Sequence, residues 1–437
     1  MKFLFITTYD KGGAAVVTLR MHNALLEAGH QSLVLVKEKT IENNNIISIR
    51  EIRRYPFFSR VWTSVKFRVT KLTRRKSVIT DNNYCFYNLD ERSNTFDFNK
   101  YVDKFPFTPD IIVPCWTSGF MNFATVSSLQ KRLKAKVFWW GVDMNALTGG
   151  CHYAWDCTGY TRDCANCPAV LDQKYKDFPA LNLKIKKKIL ADSDMKFIAG
   201  SEYLVKQARN STLFSFQQKI PKVLACINDY VFNDNQRAVA KSDMGISPDQ
   251  KAIFFGMTFV QEKRKGLKYF IDALKKLKQK IEQEGSFITS EDVVILMAGN
   301  ELATSEFIKD IPFKMKIVGF MHNEELLANA YRASDLFVCS SIEDSGPMMI
   351  NESVMCGTPV VCFNIGVSED LVVEGVSGYR ATLYNTDEMA DGMFNVLNRS
   401  SDSHRKLVES TKALAMQKTE KKVVVNEFIK VVSEYNF

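Results

Sequence analysis

The stretch KFLFITTYDKGGAAVVTLRMHNALLEAGHQSLVLV, Lys2 to Val36, decides the architecture. It opens with an apolar run and turns at Gly12-Gly13. Val17, Met21, Ala24, Leu25 and Ala28 then follow at helical spacing, before a second apolar run. Apolar residues three and four apart mark one face of a helix, and short apolar runs bounded by turn residues mark buried strands. The segment therefore reads as a βαβ unit, in which parallel strands need the helical crossover. Runs of the same kind in DIIVPCW, KVFWWGV and MKFIAGS carry the pattern through the first half of the chain.

The pattern restarts in the second half. KAIFFGM, VVILMAGN, FKMKIVGF, DLFVCSS and PVVCF read as strands, with KGLKYFIDALKKLKQKI and NEELLANAYRAS as amphipathic helices between them. The intervening IPKVLACINDYVFNDNQRAVAKSDMGISPDQ has the polar, asparagine-rich centre of a linker. A chain of 437 residues exceeds what one hydrophobic core organises. The expected architecture is α/β, with two doubly wound, Rossmann-like domains facing across a cleft. Residues 1–225 form the first and 226–415 the second, and 416–437 form a helix returning to the first. Ligands of such sheets bind outside the carboxyl ends of the strands.

Hydrophobic residues at 46% and charged residues at 24% exclude disordered and fibrous classes. The opening apolar run is too short for a signal peptide and no run reaches the length of a membrane span, so the chain reads as cytoplasmic. Its net charge of +9 is concentrated locally. Residues 53–76 hold nine basic and no acidic residues, interleaved with Tyr55, Phe57, Phe58, Trp62 and Phe67. Nucleic-acid phosphates attract such side chains, but no nucleic-acid-binding fold accompanies them. The stretch is expected to touch anionic lipid at the inner face of the plasma membrane.

The chemistry concentrates in SSIEDSGPMMINESVMCGTPVV, Ser340 to Val361. A strand delivers Asp344 or its neighbour Glu343 to the cleft, and Ser345, Gly346 and Pro347 turn the chain into a helix starting near Met348. The N–H groups of a first helical turn, aided by the dipole, receive anions. Pro347 lacks an N–H, so that cradle falls to Ser345, Gly346, Met348 and Met349. Glu352, one turn inside the helix, can accept from adjacent hydroxyls such as those of a ribose. In EKRKG, Arg264 and Lys265 can neutralise a diphosphate. The plainer readings are a capped, solvated helix and a solvated basic turn.

The acidic residue, seven residues, Glu352, then small residue-Gly357-x-Pro359-Val360, resembles the E-x7-E signature of retaining glycosyltransferases of family 4, which adopt the GT-B fold. GGAAVVTLRMHNALLEAGH is similar to that family's opening glycine loop and helix. FFGMTFVQEKRKGLKYFIDAL is similar to its basic element, and IVGFMHNEELLANAYRASDLFVCSS to the segment lining the nucleobase. The resemblance implies a retaining transferase that needs no catalytic metal. It would move sugar from a UDP- or GDP-sugar to a glycan or lipid-linked acceptor, in bacterial surface polysaccharide synthesis such as capsule or O-antigen. It places Gly12 and Gly13 near donor phosphate and acceptor, Arg264 and Lys265 on the diphosphate, Asp344 or Glu343 on the sugar and Glu352 on the ribose. A nucleotide-sugar epimerase of the same fold and a non-catalytic nucleotide-sugar or glycan-binding scaffold are the alternatives.

The sequence departs from the family pattern in three places. Asp344 stands where glutamate is usual, and FFGMTFV lacks the early arginine of the basic element. Val113, Cys115 and Val142 occupy first-domain strand ends where histidines are usual. Asp143 is then the candidate acceptor-side residue, or a cap of the following turn. In CHYAWDCTGYTRDCANCPAV, Cys151, Cys157, Cys164 and Cys167 end in a C-x-x-C pair, a donor set for structural zinc with no open catalytic position. Related polysaccharide transferases share a similar loop. Two disulfides or four free thiols are the alternatives. Asp192-x-Asp194 precedes a strand and is not expected to hold a metal.

Overall fold

The computed structural model describes residues 1–49, 51, 80–86, 91–92, 98, 102–283, 286–300, 302 and 306–434. The basic-aromatic stretch 53–76 lies outside them. By its contacts the chain divides into two units, Met1–Ala199 with Leu204–Pro221, and Gly200–Tyr203 with Lys222–Phe437.

The first unit runs β1 (Lys2–Tyr9), α1 (Gly13–Glu27), β2 (Gln31–Glu38), β3 (Ile46–Ser48), β4 (Ile111–Pro114), α2 (Phe123–Leu133), β5 (Lys136–Gly141), α3 (Phe178–Ala191) and β6 (Lys196–Ala199). Its six strands lie in the order β3-β2-β1-β4-β5-β6, all parallel. Phe3 to Ile6 of β1 are fully buried on both faces, as expected where helices cover both sides of a parallel sheet. Val17, Met21, Ala24 and Leu25 of α1 are buried as their spacing predicts, and Ala28 is the exposed C-cap. The strand order reverses between β1 and β4, which makes their carboxyl ends the switch point where ligands of such sheets bind.

The helix α4 (Glu202–Asn210) precedes α5 (Arg237–Asp243), β7 (Lys251–Phe259), α6 (Leu267–Ile281), β8 (Val293–Asn300), β9 (Lys314–Gly319), α7 (Glu324–Ala333) and β10 (Leu336–Cys339). The remainder is α8 (Met348–Met355), β11 (Val360–Phe363), α9 (Ser368–Leu371), β12 (Gly378–Ala381), α10 (Thr386–Leu397), α11 (Ser401–Thr419) and α12 (Lys421–Glu434). The second sheet is also parallel, ordered β12-β11-β10-β7-β8-β9. Counted within the unit this repeats the order of the first sheet, with the switch point between β7 and β10.

The segment read as a linker packs instead. Leu224, Ile227, Phe232, Ala240 and Ile246 are buried in one cluster with Phe254 and Tyr331. Its apolar residues anchor it to the second unit, and Arg237 and Lys241 add bonds to the Cys356 carbonyl and the Asp335 carboxylate.

Candidate active site

The loops after β7 and β10 meet at the second switch point. A 3-10 turn, Lys263–Lys265, follows β7 and ends at Gly266 with φ 68°. A Cβ at Gly266 would lie 1.9 Å from the carbonyl oxygen of Ser340, so only glycine fits both the backbone and the contact. The Ser340 hydroxyl donates to the carbonyls of Lys265 and Gly266, each at 3.0 Å. The Ile342 N–H donates to the Arg264 carbonyl at 2.8 Å. These bonds pin the basic turn to the end of β10.

Both cations thereby reach Asp344. Its Oδ2 lies 2.8 Å from Arg264 Nη1 and 2.7 Å from Lys265 Nζ, and its Oδ1 accepts from the Gly346 N–H at 3.2 Å. Arg264 Nη2 also lies 2.5 Å from Glu262 Oε1. Burial pushes the Asp344 carboxyl up, but the Lys265 and Arg264 cations outweigh it and hold the group down at about 2. A buried carboxylate is stable only when paired in this way.

Helix α8 begins at Met348 with Pro347 as its N-cap, without a capping side chain or an acidic residue in its first turn. Ser345 is buried, and its carbonyl accepts from the Ser201 hydroxyl at 2.8 Å. Met348 and Met349 are half-buried, and Met349 packs where a side chain on Gly256 of β7 would fall. A Cβ at Gly346 would meet nothing within 4 Å, and its φ is outside the left-handed region. Nothing in the chain itself requires glycine there. Glu343 is buried, and it is Asp344 that takes the two cations. Glu352 is buried in α8 with the Tyr331 hydroxyl 3.4 Å from its Oε2.

In the first unit, Gly12 has φ 90°, and Gly12 and Gly13 are exposed, with nothing within 4 Å of an added Cβ. Asp143 performs two tasks. Its Oδ1 accepts from the Asn145 N–H at 2.7 Å, which caps the turn, and its Oδ2 lies 2.9 Å from His152 Nδ1. His152 Nε2 lies 2.6 Å from the Ser118 hydroxyl, and its ring stacks on Trp116 with centroids 3.9 Å apart. Asp143, His152 and Ser118 are all buried. The Thr8 hydroxyl of β1 contacts the carbonyls of Trp116 and Ser118, tying this network to the first switch point. His152 carries no signature in the sequence, because only the loop closure brings it back to Asp143.

The cysteine loop holds free thiols, with Cys151, Cys164 and Cys167 buried and Cys157 half-buried. The Gly149 N–H donates to Cys164 Sγ at 3.3 Å and the Gly159 N–H to Cys157 Sγ at 3.4 Å. Among the described residues, no three His, Cys, Asp or Glu side chains are grouped to hold a metal as placed. The turn leading into the loop is anchored by buried Lys186, which donates to the carbonyls of Asn145 at 2.8 Å and Thr148 at 3.0 Å. Asp192 and Asp194 lie at the amino end of β6, away from the ligand edge of that sheet. Among the described residues, no helix is long and apolar enough to cross a membrane.

Residues 240–414 match the family model described as glycosyl transferases group 1, a segment that includes Arg264, Lys265, Asp344 and Glu352. The D-inositol 3-phosphate glycosyltransferase of Mycolicibacterium smegmatis is 28% identical over 178 residues, 39% of this chain and 38% of that protein. The match thus spans less than two-fifths of the length of that curated relative. Sucrose-phosphate synthase from Thermosynechococcus elongatus superposes with a TM-score of 0.65 at 13% identity, covering 99% of each chain. Anabaena HepE, solved in complex with UDP and glucose, superposes with a TM-score of 0.60 at 14% identity, covering 99% of this chain and 100% of the other. These likenesses, with the two six-stranded parallel sheets, define the GT-B fold.

Proposed function

We propose that this chain is a glycosyltransferase that moves a sugar from a nucleoside diphosphate sugar to a hydroxyl of a glycan or lipid-linked acceptor, with retention of anomeric configuration. The observation that carries this reading is the Arg264–Lys265–Asp344 cluster, at the switch point of the second sheet and inside the segment that matches the group 1 family. Cleaving the bond from the sugar's anomeric carbon to phosphate oxygen leaves the electron pair on the diphosphate. Two cations and a helix N-terminus stabilise that charge without a catalytic metal. The acceptor oxygen attacks from the same face, and its proton passes to the departing diphosphate.

In this reading Asp344 or Glu343 positions the sugar, and Glu352 meets the ribose. Ser345, Gly346, Met348 and Met349 border the phosphates. The exposed Gly12-Gly13 turn and Asp143 serve the first unit's side of the reaction. The donor is read as a UDP- or GDP-sugar, and the UDP and glucose held by Anabaena HepE support the first of these. Surface polysaccharide assembly at the cytoplasmic face of a bacterial membrane, reached through 53–76, is the proposed setting. Structural zinc in the cysteine loop belongs to the same reading, supported by the N–H groups that already donate to two sulfurs. Binding would require the side chains to rotate inward.

The test is release of nucleoside diphosphate from UDP- and GDP-sugars by the purified chain and by Lys265→Ala. Turnover of one donor, lost in the variant, is expected. Undiminished turnover in Lys265→Ala would remove the assignment of the cluster.

A further inference from the structure

The contacts of Asp344 carry an inference that rests on the donor-site reading above. One carboxylate receives a guanidinium, an ammonium and a backbone N–H beside a helix start. That is the donor set by which proteins hold phosphate. Arg264 has a second carboxylate in Glu262, so in these contacts the two cations already face two carboxylates. An arriving diphosphate brings at least two further negative charges into a half-buried site. It cannot engage Arg264 and Lys265 fully while Asp344 Oδ2 lies between them.

We propose that Asp344 is a built-in anion occupying the diphosphate subsite, so that donor binding exchanges phosphate oxygens for its carboxylate on Arg264 and Lys265. The backbone that carries the two cations has anchors besides Asp344. It is fixed by Ser340 and Ile342 and by the close approach at Gly266. Removing the carboxylate therefore leaves that backbone in position and unmasks the cations. The exchange also orders recognition. Asp344 becomes available to accept from a hydroxyl of the sugar only after the diphosphate has displaced it, which selects against free sugars.

The two roles predict opposite signs in one experiment. Inorganic pyrophosphate and UDP are titrated calorimetrically, at fixed ionic strength, into the wild type, Asp344→Asn and Lys265→Ala. Asp344→Asn should bind both ligands about tenfold more tightly, because a competing carboxylate near two cations is removed. Its turnover of the sugar donor should nonetheless fall. Asp344→Ser should show the same sign and serves if the asparagine variant does not fold. Equal or weaker binding by folded Asp344 variants, with the wild type binding and Lys265→Ala impaired, would overturn the inference and leave the donor site standing. Absence of binding by both the wild type and the Asp344 variants would overturn the donor-site reading itself.

Discussion

Lys265 Nζ lies 2.7 Å from Asp344 Oδ2, although the two residues follow different strands of the second sheet. The bond, together with that from Arg264, ties the β7 and β10 loops, so it contributes to stability as well as to the proposed chemistry. Asp344 titrates at about 2 in the folded chain against an ordinary 3.8. A depressed carboxylate contributes its stability fully above the unfolded value and loses it as pH falls through the folded value. Melts of the wild type should therefore lose about 2 kcal/mol between roughly pH 4 and pH 2, a component absent from Asp344→Asn. Parallel acid limbs for the two proteins would contradict the pairing.

A second acid-sensitive group works in a different window. His22 is buried in α1 with Nδ1 2.7 Å from the Ser32 hydroxyl, and burial pushes it down to about 4. The unfolded chain then binds a proton more readily than the folded one, so stability falls as pH drops from about 6.5 to about 4. His22→Gln should flatten that limb by up to about 3 kcal/mol, read from thermal melts between pH 7 and pH 4. An unchanged limb would mean that His22 is not what drives it.

Two glycines in the same site should separate fold from function. Gly266→Ala places a Cβ against the Ser340 carbonyl at a left-handed backbone position, and should cost at least about 2 kcal/mol in a denaturant titration. Gly346→Ala meets nothing within 4 Å and should leave stability within about 0.5 kcal/mol, yet weaken UDP binding measured by calorimetry. Equal effects of the two substitutions on stability would contradict this division.

The fold was legible because its signal is local: apolar runs, helical stripes and turn glycines repeat twice. The short strands β3 and β12 were missed, since Ile46–Ser48 and Gly378–Ala381 are too brief to show a period and are recruited as outer strands by β2 and β11. In the site, the motif spacing singled out Arg264, Lys265 and Asp344 or Glu343 as candidates but not the ion pairing of Asp344, which depends on the pinning of the basic turn by Ser340. The link from Asp143 through His152 to Ser118 was invisible for the same reason. It joins loops after β4 and β5 with no local signature, and the aromatic partner Trp116 reads in the sequence only as part of an apolar run.

The cysteine loop yields a metal prediction. Chain purified without chelator should contain about one zinc per molecule, and a Cys157→Ser/Cys167→Ser double variant should lose it with a lower Tm. Metal-free wild type whose Tm is unmoved by added zinc or chelator would contradict structural zinc and leave four free thiols.

The central claim, that Arg264 and Lys265 form the diphosphate site of a sugar donor, is tested most directly by calorimetric titration of UDP and GDP into the wild type and an Arg264→Ala/Lys265→Ala double variant. Hydrogen bonds to charged groups contribute about 1.5–3 kcal/mol each, so the double variant should lose at least about 100-fold in affinity for whichever nucleotide binds. Binding that survives the double substitution unchanged, or a wild type that binds neither nucleotide, would contradict it.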